Sequence, residues 1–522
     1  MSDFSTFSIL GINPGHDGAI AHIVGDKLIF SYENEKDNGH RYSEVNSNTF
    51  IKALSACTII PDVIASGGWT KGSPTGDSID AGYTGIESGY SKKTRFLTKE
   101  IDYFTSTHER SHILSSYAMS PFKQGQPCYA LVWEGHIAAF YKIDEHVNIV
   151  KLADVLPDPG VRYAFLYGLA DPTFTLPKGG IRLSDAGKLM AIAAYAEGKV
   201  DIDGASVIER ILSPNITGND LCKEDFIDSR YYNCGINNPD FANLAQLMSD
   251  SLFNFFEQAA RKLVEQPLPL LISGGCALNC EWNSRWKKST LFSSVFVPPC
   301  ANDSGSAIGT AVDAMLHFTG NAKLEWSVYA GEMPISDTKP SSAFSVEPYS
   351  PHTVATHLSK GLILGWVKGR YEIGPRALGA RSILACPRTE ETLRRLNRIK
   401  RRESFRPIAP LCIEEDMERY FQPADKTPYM LEFCRVISDK IPAVTHVDQS
   451  ARPQSVSKDD LPELYELLIS FRHLTGISVL CNTSLNFNGF GFINRLSDLE
   501  KFSLAHGLDG FVFEDRLFLK KT

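Results

Sequence analysis

Short apolar runs, separated by turns rich in glycine and aspartate, recur from the beginning of the chain. The first segment is FSILGINPGHDGAIAHIVGDKLIFSYENEK, and its pattern predicts a strand, a turn and a strand. PDVIASGG predicts a buried strand. STHERSHILSSYAMS predicts a helix that Ser106 or Thr107 can cap and that ends before Pro121. PCYALVWEGHIAAFYKI then predicts two strands around a tight turn at Glu134 and Gly135. This alternation indicates an α/β protein.

The middle of the chain continues the alternation with longer helices. LSDAGKLMAIAAYAEG predicts a helix capped by Ser184 or Asp185, and ANLAQLMSDSLFNFFEQAARKLVE predicts a long amphipathic helix. PLPLLISGGCALNCEWNSRW predicts a strand, a glycine turn and a helix, and SSVFVPPCANDSGSAIGTAVDAML repeats that layout with an acidic turn. Because the two halves share this plan, we expect two duplicated α/β lobes.

A polar stretch interrupts the pattern at residues 320–350 and predicts a domain boundary near 340. A second α/β unit begins with VATHLSKGLILGWVKGRYEIGPRALGARSILACP and continues to the end of the chain. The expected domains are therefore 1–340 and 341–522. Residues 70–100 predict a Gly/Ser-rich loop with Tyr83 and Tyr90, which either lines a substrate pocket or is a mobile surface loop.

Composition supports a globular protein of two or three domains, with 522 residues, 43% apolar and 22% charged. The net charge of −8 argues against broad nucleic-acid binding. Eleven cysteines without a CxxC pair suit a reducing compartment. The start, MSDFSTFSIL, does not resemble a signal peptide, and no apolar run is long enough to span a membrane. We therefore expect a cytoplasmic protein with no membrane or nucleic-acid partner.

Two glycine turns and one first helical turn are candidate phosphate-binding sites, because the backbone N–H groups of such turns can face an anion. GINPGHDGA carries His16 and Asp17 at the end of an apolar strand, and a plain hairpin turn is the alternative. DAGKLM places Gly187 and Lys188 in a first helical turn, where a lysine can meet a phosphate, and SGGCALN is the second glycine turn, with Gly275 and Asn279 as candidates. A surface lysine and a tight packing turn are their respective alternatives.

The segment HERSH places His108 and His112 four residues apart, on one face of the predicted helix. This spacing can give a metal two imidazole ligands, although two solvated histidines are the simpler interpretation. Asp303, in a turn before a glycine-rich helix start, is a candidate third ligand. Two histidines and one carboxylate suit iron(II) best, and zinc or manganese stays open.

The last third of the chain contains LRRLNRIKRRESFRPIAP, with seven cations between Arg394 and Arg406. A solvated helix face would explain such a run, and so would an anion pocket, because guanidinium groups match phosphate and carboxylate geometry. GPRALGARS adds Arg376 and Arg381, and CNTSLN adds Asn482 and Thr483. Three separate anion-binding loops favour a phosphate-handling domain.

These motifs resemble, in the same order, those of the ATP-dependent O-carbamoyltransferases, and the resemblance covers nearly the whole chain. The N-terminal matches are GINPGHDGA, HERSH, GKLMAIAAY, SGGCALNC and NDSGSAIG. The C-terminal matches are GRYEIGPRALGARSILACPR, IKRRESFRPIAP, AVTHVDQSARPQSV and CNTSLNFNG. The resemblance implies an α/β fold with an actin-like (ASKHA), two-lobed N-terminal domain and a YrdC-like C-terminal domain.

In the reaction that this family implies, the C-terminal domain cleaves carbamoyl phosphate and passes carbamate to ATP, giving carbamoyl-AMP and pyrophosphate. The N-terminal domain then transfers the carbamoyl group to an acceptor hydroxyl. The implied partners are ATP with Mg²⁺, carbamoyl phosphate and a hydroxylated small molecule, with iron(II) or another divalent metal in the N-terminal domain. A homodimer is left open.

The resemblance also implies roles for individual residues. His16, beside Asp17, would be the base that takes the proton of the acceptor, a task that suits an imidazole that is neutral near pH 7. The implied metal ligands are His108, His112 and Asp303. The implied adenylate-binding residues are Gly135, Gly187, Lys188, Gly275 and Asn279. The implied carbamoyl phosphate and ATP pocket consists of Arg376, Arg381, Lys400, Arg402, Arg406, Asn482 and Thr483.

The chain departs from the family in the turn WEGH, where relatives commonly have Asp-Gly-x-Gly. Whether Glu134 replaces that aspartate stays open. Cys276 stands where a small apolar residue is usual, and NTSLNFNGFGF lacks a common Gly-Glu-Pro. The main alternative function is an ASKHA-type small-molecule kinase, which would leave the arginine-rich C-terminal motifs unexplained. A non-catalytic ATP-binding protein is a second alternative.

Overall fold

A computed structural model describes residues 4–68 and 82–521. The chain divides into two compact units. The first unit consists of Met1–Met119 together with Asp303–Thr522, and the second consists of Ser120–Asn302. The second unit is therefore an insertion in the sequence of the first.

The first unit begins with a six-stranded sheet of order β3-β2-β1-β4-β6-β5. Its strands are β1 (Ser8–Asn13), β2 (Ala19–Val24), β3 (Lys27–Glu33), β4 (Val63–Gly67), β5 (Tyr90–Phe96) and β6 (Lys99–Ser106). Its helices are α1 (Asn34–Asn38), α2 (Ser47–Ala56) and α3 (His108–Met119), with a 3-10 turn at Phe4–Thr6. β1 is antiparallel to β2 and parallel to β4, and β4 is parallel to β6.

The second unit has a five-stranded sheet of order β11-β10-β7-β8-β9. Its strands are β7 (Cys128–Trp133), β8 (Ala138–Ile143), β9 (Ile149–Asp154), β10 (Leu270–Ser273) and β11 (Val295–Phe296). Its helices are α4 (Pro159–Ala170), α5 (Ser184–Ala193), α6 (Ile202–Ile211), α7 (Pro239–Leu263) and α8 (Cys280–Lys288). Its 3-10 turns lie at Gly218–Asp220, Lys223–Phe226 and Gly275–Leu278.

The two sheets share one strand order, which confirms the predicted duplication. In the first sheet, β1 pairs antiparallel with β2 and parallel with β4, while β3 and β6 extend the two sides. β7, β8, β9, β10 and β11 repeat this plan in the second unit. β5 is the one addition in the first sheet, since it continues the order beyond β6.

The rest of the first unit begins at a 3-10 turn, Asp303–Gly305, followed by α9 (Ser306–Thr319). An eight-stranded mixed sheet follows, of order β12-β22-β21-β13-β14-β20-β15-β19. Its strands are β12 (Phe344–Pro348), β13 (Leu364–Val367), β14 (Arg381–Ala385), β15 (Ala409–Ile413), β19 (Gln454–Val456), β20 (Val479–Ser484), β21 (Gly510–Phe513) and β22 (Arg516–Lys520). A smaller sheet contains β16 (Phe421–Gln422), β17 (Cys434–Val436) and β18 (Ser450–Ala451). The helices are α10 (Pro351–Ser359), α11 (Glu390–Ile399), α12 (Pro462–Thr475) and α13 (Leu496–His506), with 3-10 turns at Glu414–Arg419 and Pro442–Val444.

Both faces of the first sheet are covered, and this explains the nearly continuous apolar runs of its strands. On one face, Leu10, Ile20 and Phe30 form a buried cluster against α2. On the other, α9 packs so closely that a Cβ on Gly11 would lie 2.3 Å from the Ala307 carbonyl oxygen. Glycine is therefore required where β1 meets α9.

The α/β fold class predicted from the sequence is confirmed. Of the two proposed caps for α3, Thr107 is the actual one, since its Oγ1 accepts from the Arg110 N–H at 3.0 Å. The predicted cap of α5 is wrong, because Ser184 is already helical and Asp185 binds cations instead. Within the described residues, no helix is long and apolar enough to cross a bilayer.

The loop predicted at residues 70–100 is only partly a loop. Residues 69–81 lie outside the described residues, while β5 begins at Tyr90 and forms a hairpin with β6. The sequence YSKKTRF was hard to recognise as a strand because its side chains on both faces are largely exposed.

Candidate active site

The two histidines of HERSH and Asp303 form a buried group within the first unit. The His108 and His112 Nε2 atoms lie 3.1 Å apart, and they lie 3.6 and 3.3 Å from the Asp303 carboxylate oxygens. Each histidine side chain is only 1% exposed, so the interpretation as solvated surface histidines is wrong. Two imidazole nitrogens and a carboxylate that converge on one point make a donor set that fits a divalent metal.

Helices α3 and α9 bring these three residues together. A Cβ on Gly309 of α9 would lie 1.8 Å from the Ser111 carbonyl oxygen of α3, so only glycine permits this approach. The Asp313 carboxylate, also on α9, accepts from the Ser106 hydroxyl at 2.6 Å and from the Arg110 Nε at 2.8 Å. Burial raises the pKa of Asp313, and the Arg110 charge opposes that effect.

His16 and Asp17 lie in the hairpin turn between β1 and β2. The Asn13 amide donates to the carbonyl oxygens of His16 at 3.1 Å and of Asp303 at 3.0 Å. The His16 ring stacks on Tyr42, with centroids 5.1 Å apart, and its Nε2 lies 3.7 Å from the Asp17 carboxylate. Asn13 therefore connects the turn of the candidate base to the turn of a candidate metal ligand.

In the second unit, the three candidate glycines border open space. A Cβ added at Gly135, Gly187 or Gly275 would meet no atom within 4 Å. Gly274, by contrast, has φ of +95° and lies against the Trp133 carbonyl. The backbone at these three open positions can approach a ligand closely, and the binding of a ligand there stays a prediction.

Lys188 and Asn279, the polar candidates of the second unit, both have partners in the protein. The Lys188 amine lies 3.1 Å from the Asp185 carboxylate. The Asn279 side-chain oxygen caps α8 by accepting from the N–H groups of Glu281 and Trp282. Burial, followed by the charge of Glu134, raises the pKa of Cys276, which disfavours the thiolate form that a nucleophilic cysteine needs.

The cationic run of the C-terminal third separates into two groups. Arg394 and Arg398 of α11 are exposed and pair with Glu391, as a solvated helix face would. Lys400 is buried, and its amine donates to the Ser484 carbonyl at 2.6 Å. The solvated face therefore accounts for the first part of the run, and the anion pocket stays a prediction for the buried part.

Lys400, Arg402, Arg406 and Arg452 form a cluster of cations that we call the cation pocket. Burial, and then the charges of Arg402 and Arg406, lower the pKa of Lys400 well below its ordinary value. Burial, Arg406 and Arg452 lower the pKa of Arg402 to about 9. Glu403, 3.8 Å from Arg406, is an acid beside them. Cations that lower one another's pKa in this way would be stabilised by a bound anion.

The other C-terminal candidates lie on neighbouring strands and loops. The Asn482 amide donates to the carbonyl oxygen of Ala377, next to Arg376, at 2.9 Å. Thr483 pairs with Ile383 across β20 and β14 and immediately precedes the Lys400 acceptor Ser484. Arg381 is fully buried and contacts the protein itself, donating to Asn494 at 2.6 Å and to Gly369 at 3.0 Å. Its role in ligand binding stays a prediction.

Sequence reasoning missed Asn13 and Arg452 as members of these groups, and it did not place Tyr83 beside the histidines. Asn13 was detectable as an amide at the end of a buried strand, and Arg452 lies in a motif that had already been singled out. Tyr83, whose ring stacks on His108 with centroids 4.5 Å apart, lies far from HERSH in the sequence. Its place beside the histidine depends on tertiary structure.

The chain is similar to known proteins over nearly its whole length. Residues 83–312 match the carbamoyltransferase N-terminus family, and residues 355–520 match the carbamoyltransferase C-terminus family. The chain is 46% identical to a 3'-hydroxymethylcephem-O-carbamoyltransferase of Amycolatopsis lactamdurans, over 97% of this chain and 98% of the relative. A protein of the same name from Streptomyces clavuligerus is 45% identical over 95% of each chain.

A more distant relative and a solved structure are also similar to the chain. Nodulation protein U of Rhizobium fredii is 33% identical over 94% of this chain and 91% of its own. Among solved structures, full-length HypF is similar over 63% of this chain and 57% of its own, with a TM-score of 0.34 and 13% identity. The chain belongs to the carbamoyltransferase family. It is accordingly an enzyme, a carbamoyltransferase.

Proposed function

We propose that this enzyme uses carbamoyl phosphate and ATP to carbamoylate a hydroxyl group of a small natural product. The proposal rests on one observation within the first unit: the turn that contains the candidate base His16 is connected to the turn that contains the candidate metal ligand Asp303. Asn13 holds the backbone of His16 and of Asp303 at 3.1 and 3.0 Å. A base fixed beside a Lewis-acid site is what activation of a hydroxyl requires.

The first stage is assigned to the cation pocket. Water cleaves carbamoyl phosphate to carbamate and phosphate, and a carbamate oxygen then attacks the α-phosphorus of ATP. Pyrophosphate leaves with Mg²⁺, and carbamoyl-AMP remains. Lys400, Arg402 and Arg406 would bind the phosphate groups, since burial and mutual repulsion lower the pKa of Lys400 and Arg402, and a bound anion would relieve that repulsion. Arg376, Asn482 and Thr483 are assigned to the same pocket.

The second stage is assigned to His16 and the turns of the second unit. The His16 imidazole takes the proton of the acceptor hydroxyl, the acceptor oxygen attacks the carbamoyl carbon, and AMP leaves. Gly135, Gly187 and Gly275, whose backbones are open, would contact the adenylate together with Lys188 and Asn279. His108, His112 and Asp303 would hold iron(II) or another divalent metal, which supplies Lewis acidity when bound.

The acceptor that we propose is a hydroxymethyl group on a cephem ring. Support comes from two relatives named for that substrate, at 46% and 45% identity over nearly the full chain. The other candidate function, a small-molecule kinase, would leave the cation pocket without a purpose.

Product analysis tests the proposal. The enzyme is incubated with ATP, Mg²⁺ and carbamoyl phosphate, with and without a 3'-hydroxymethyl cephem. We expect pyrophosphate and AMP that depend on carbamoyl phosphate, and carbamoylated cephem when the acceptor is present. ADP formed without carbamoyl phosphate would make the protein a kinase.

Two variants separate the stages. His16→Ala should keep carbamoyl phosphate-dependent pyrophosphate release and lose transfer by about 10²- to 10⁴-fold. Arg406→Ala should lose pyrophosphate release. Arg398→Ala is the matched control, because Arg398 belongs to the same cationic run but pairs with Glu391 on the surface. Equal loss of both stages in His16→Ala would contradict the division.

A further inference from the structure

Residues 82–86, which we call the α3 strap, lie against the first turn of helix α3. The Gly82 carbonyl accepts from the His108 N–H at 3.2 Å, and the Tyr83 carbonyl accepts from the Glu109 N–H at 2.9 Å. Backbone N–H groups in the first turn of a helix have no partner within the helix. The strap therefore satisfies the amide of a candidate metal ligand and that of the next residue.

The helix in turn holds the strap. The Glu109 carboxylate accepts from the Gly85 N–H at 2.7 Å, and the Thr107 hydroxyl donates to the Gly85 carbonyl at 2.6 Å. Arg110 donates to the Ile86 carbonyl at 3.1 Å. Glu109 and Thr107 are both buried, so these bonds are shielded from competing water. The contacts run in both directions, and they define one position of the strap.

The strap places the Tyr83 ring on the His108 imidazole. The two rings are nearly parallel, at 13°, with centroids 4.5 Å apart. The His112 ring meets the same imidazole edge-on, at 88° and 4.6 Å. His108 is thus restrained by the stacked Tyr83 ring on one face and by a perpendicular contact with the other histidine of the group. Aromatic contacts of these two kinds are attractive beyond the area they bury.

We propose that Tyr83, carried by the α3 strap, is a positioning residue that sets the orientation of His108 and so the affinity of the metal site. The inference deepens the proposed function and rests on the metal group that it includes. Residues that orient a metal ligand from outside the coordination sphere typically change metal affinity by about 10- to 100-fold when replaced. Tyr83 acts through His108, and it is no ligand itself.

Co²⁺ titration of the metal-free enzyme, followed by visible absorption, tests the inference. Tyr83→Ala should raise the Co²⁺ dissociation constant by about tenfold or more. Tyr83→Phe keeps the stacked ring and should restore near-wild-type affinity. Tyr90→Ala is the matched control, because Tyr90 is 60% exposed on β5 and should leave Co²⁺ binding unchanged. The melting temperature of the metal-free variants separates a local effect from general destabilisation.

His108→Ala serves as the reference for loss of the site. Wild-type Co²⁺ affinity in Tyr83→Ala, or in His108→Ala, would overturn the inference. So would a loss in Tyr83→Phe as large as in Tyr83→Ala, since stacking would then have no part in it. The proposed reaction fails separately, by pyrophosphate release that never depends on carbamoyl phosphate, and that result would leave the Co²⁺ measurements standing.

Discussion

The close approach of α9 to α3 predicts that Gly309→Ala damages both stability and metal binding. The new Cβ would lie 1.8 Å from the Ser111 carbonyl oxygen, about 1.6 Å short of the 3.4 Å at which ordinary contact begins. That oxygen belongs to the backbone of a helix and cannot turn away as a side chain would. The two helices must therefore separate by a comparable distance.

Two opposing contributions set the magnitude for stability. Overpacking of this kind costs about 1–3 kcal/mol. The better helix propensity of alanine offsets about 0.5–1 kcal/mol of that cost. We expect a net loss of about 1–2 kcal/mol in the free energy of unfolding. Separation also moves His108 and His112 away from Asp303, while metal sites tolerate distance errors of only about 0.2 Å.

The assay compares Gly309→Ala with Gly187→Ala by thermal unfolding and Co²⁺ titration. Gly187 also lies in a helix, but a Cβ there meets no atom within 4 Å, so the same substitution should be neutral or stabilising. Gly309→Ala should melt lower and bind Co²⁺ about tenfold or more weakly. If it matched the wild type in both measurements, the argument from helix contact would be refuted.

Three further predictions concern buried charges. Burial and neighbouring cations lower the pKa of Lys400, so its amine loses its charge at a pH where an ordinary lysine is still protonated. The affinity of the enzyme for inorganic phosphate should therefore fall at that lower pH as the pH rises. Lys400→Gln should lack this decline. Lys36 lies 3.0 Å from the buried Glu33 carboxylate. Lys36→Met should lower the free energy of unfolding, measured by chemical denaturation, by about 3–5 kcal/mol, because it leaves that carboxylate without its cation. Adding Glu33→Gln should recover part of the loss. Burial lowers the pKa of His22 from 6.5 to about 4, so between these pH values the unfolded chain binds more protons than the folded one. Up to about 3 kcal/mol of folding stability should be lost as the pH falls through this range. His22→Gln should reduce that loss when melting is measured as a function of pH.

The sequence predicted strands, turns and helices well where apolar periodicity and turn residues agreed. The β1–β2 hairpin, the β7–β8 pair and α7 are examples, although α7 begins earlier than predicted, at Pro239. The sequence predicted local structure poorly where tertiary contacts, and not local signals, decide the conformation. The first turn of α5 has no side-chain cap, because its Asp185 is bound to Arg182 at 2.7 Å instead.

Candidate ligands were recognisable by type and spacing, while the contacts that orient them were not. Histidines four residues apart indicate a shared helix face, and that reasoning led directly to HERSH. The buried contact between Arg110 and Asp313 joins residues about 200 positions apart, and no local sequence pattern predicts it. Electrostatics within the arginine-rich run also needed the structure, because Arg398 and Arg402 look equivalent in sequence.

The insertion of the second unit has a consequence for synthesis of the protein. His108 and His112 leave the ribosome long before Asp303, with the whole of residues 120–302 in between. Nascent chains are made at roughly 5–20 residues per second, so the histidines wait for roughly ten seconds or more before the third candidate ligand exists. During that interval Gly309 and Asp313, which contact α3 from α9, have not yet been synthesised either. The second unit is continuous in sequence and is complete before the first, so we expect the order of folding to be the reverse of the order of initiation.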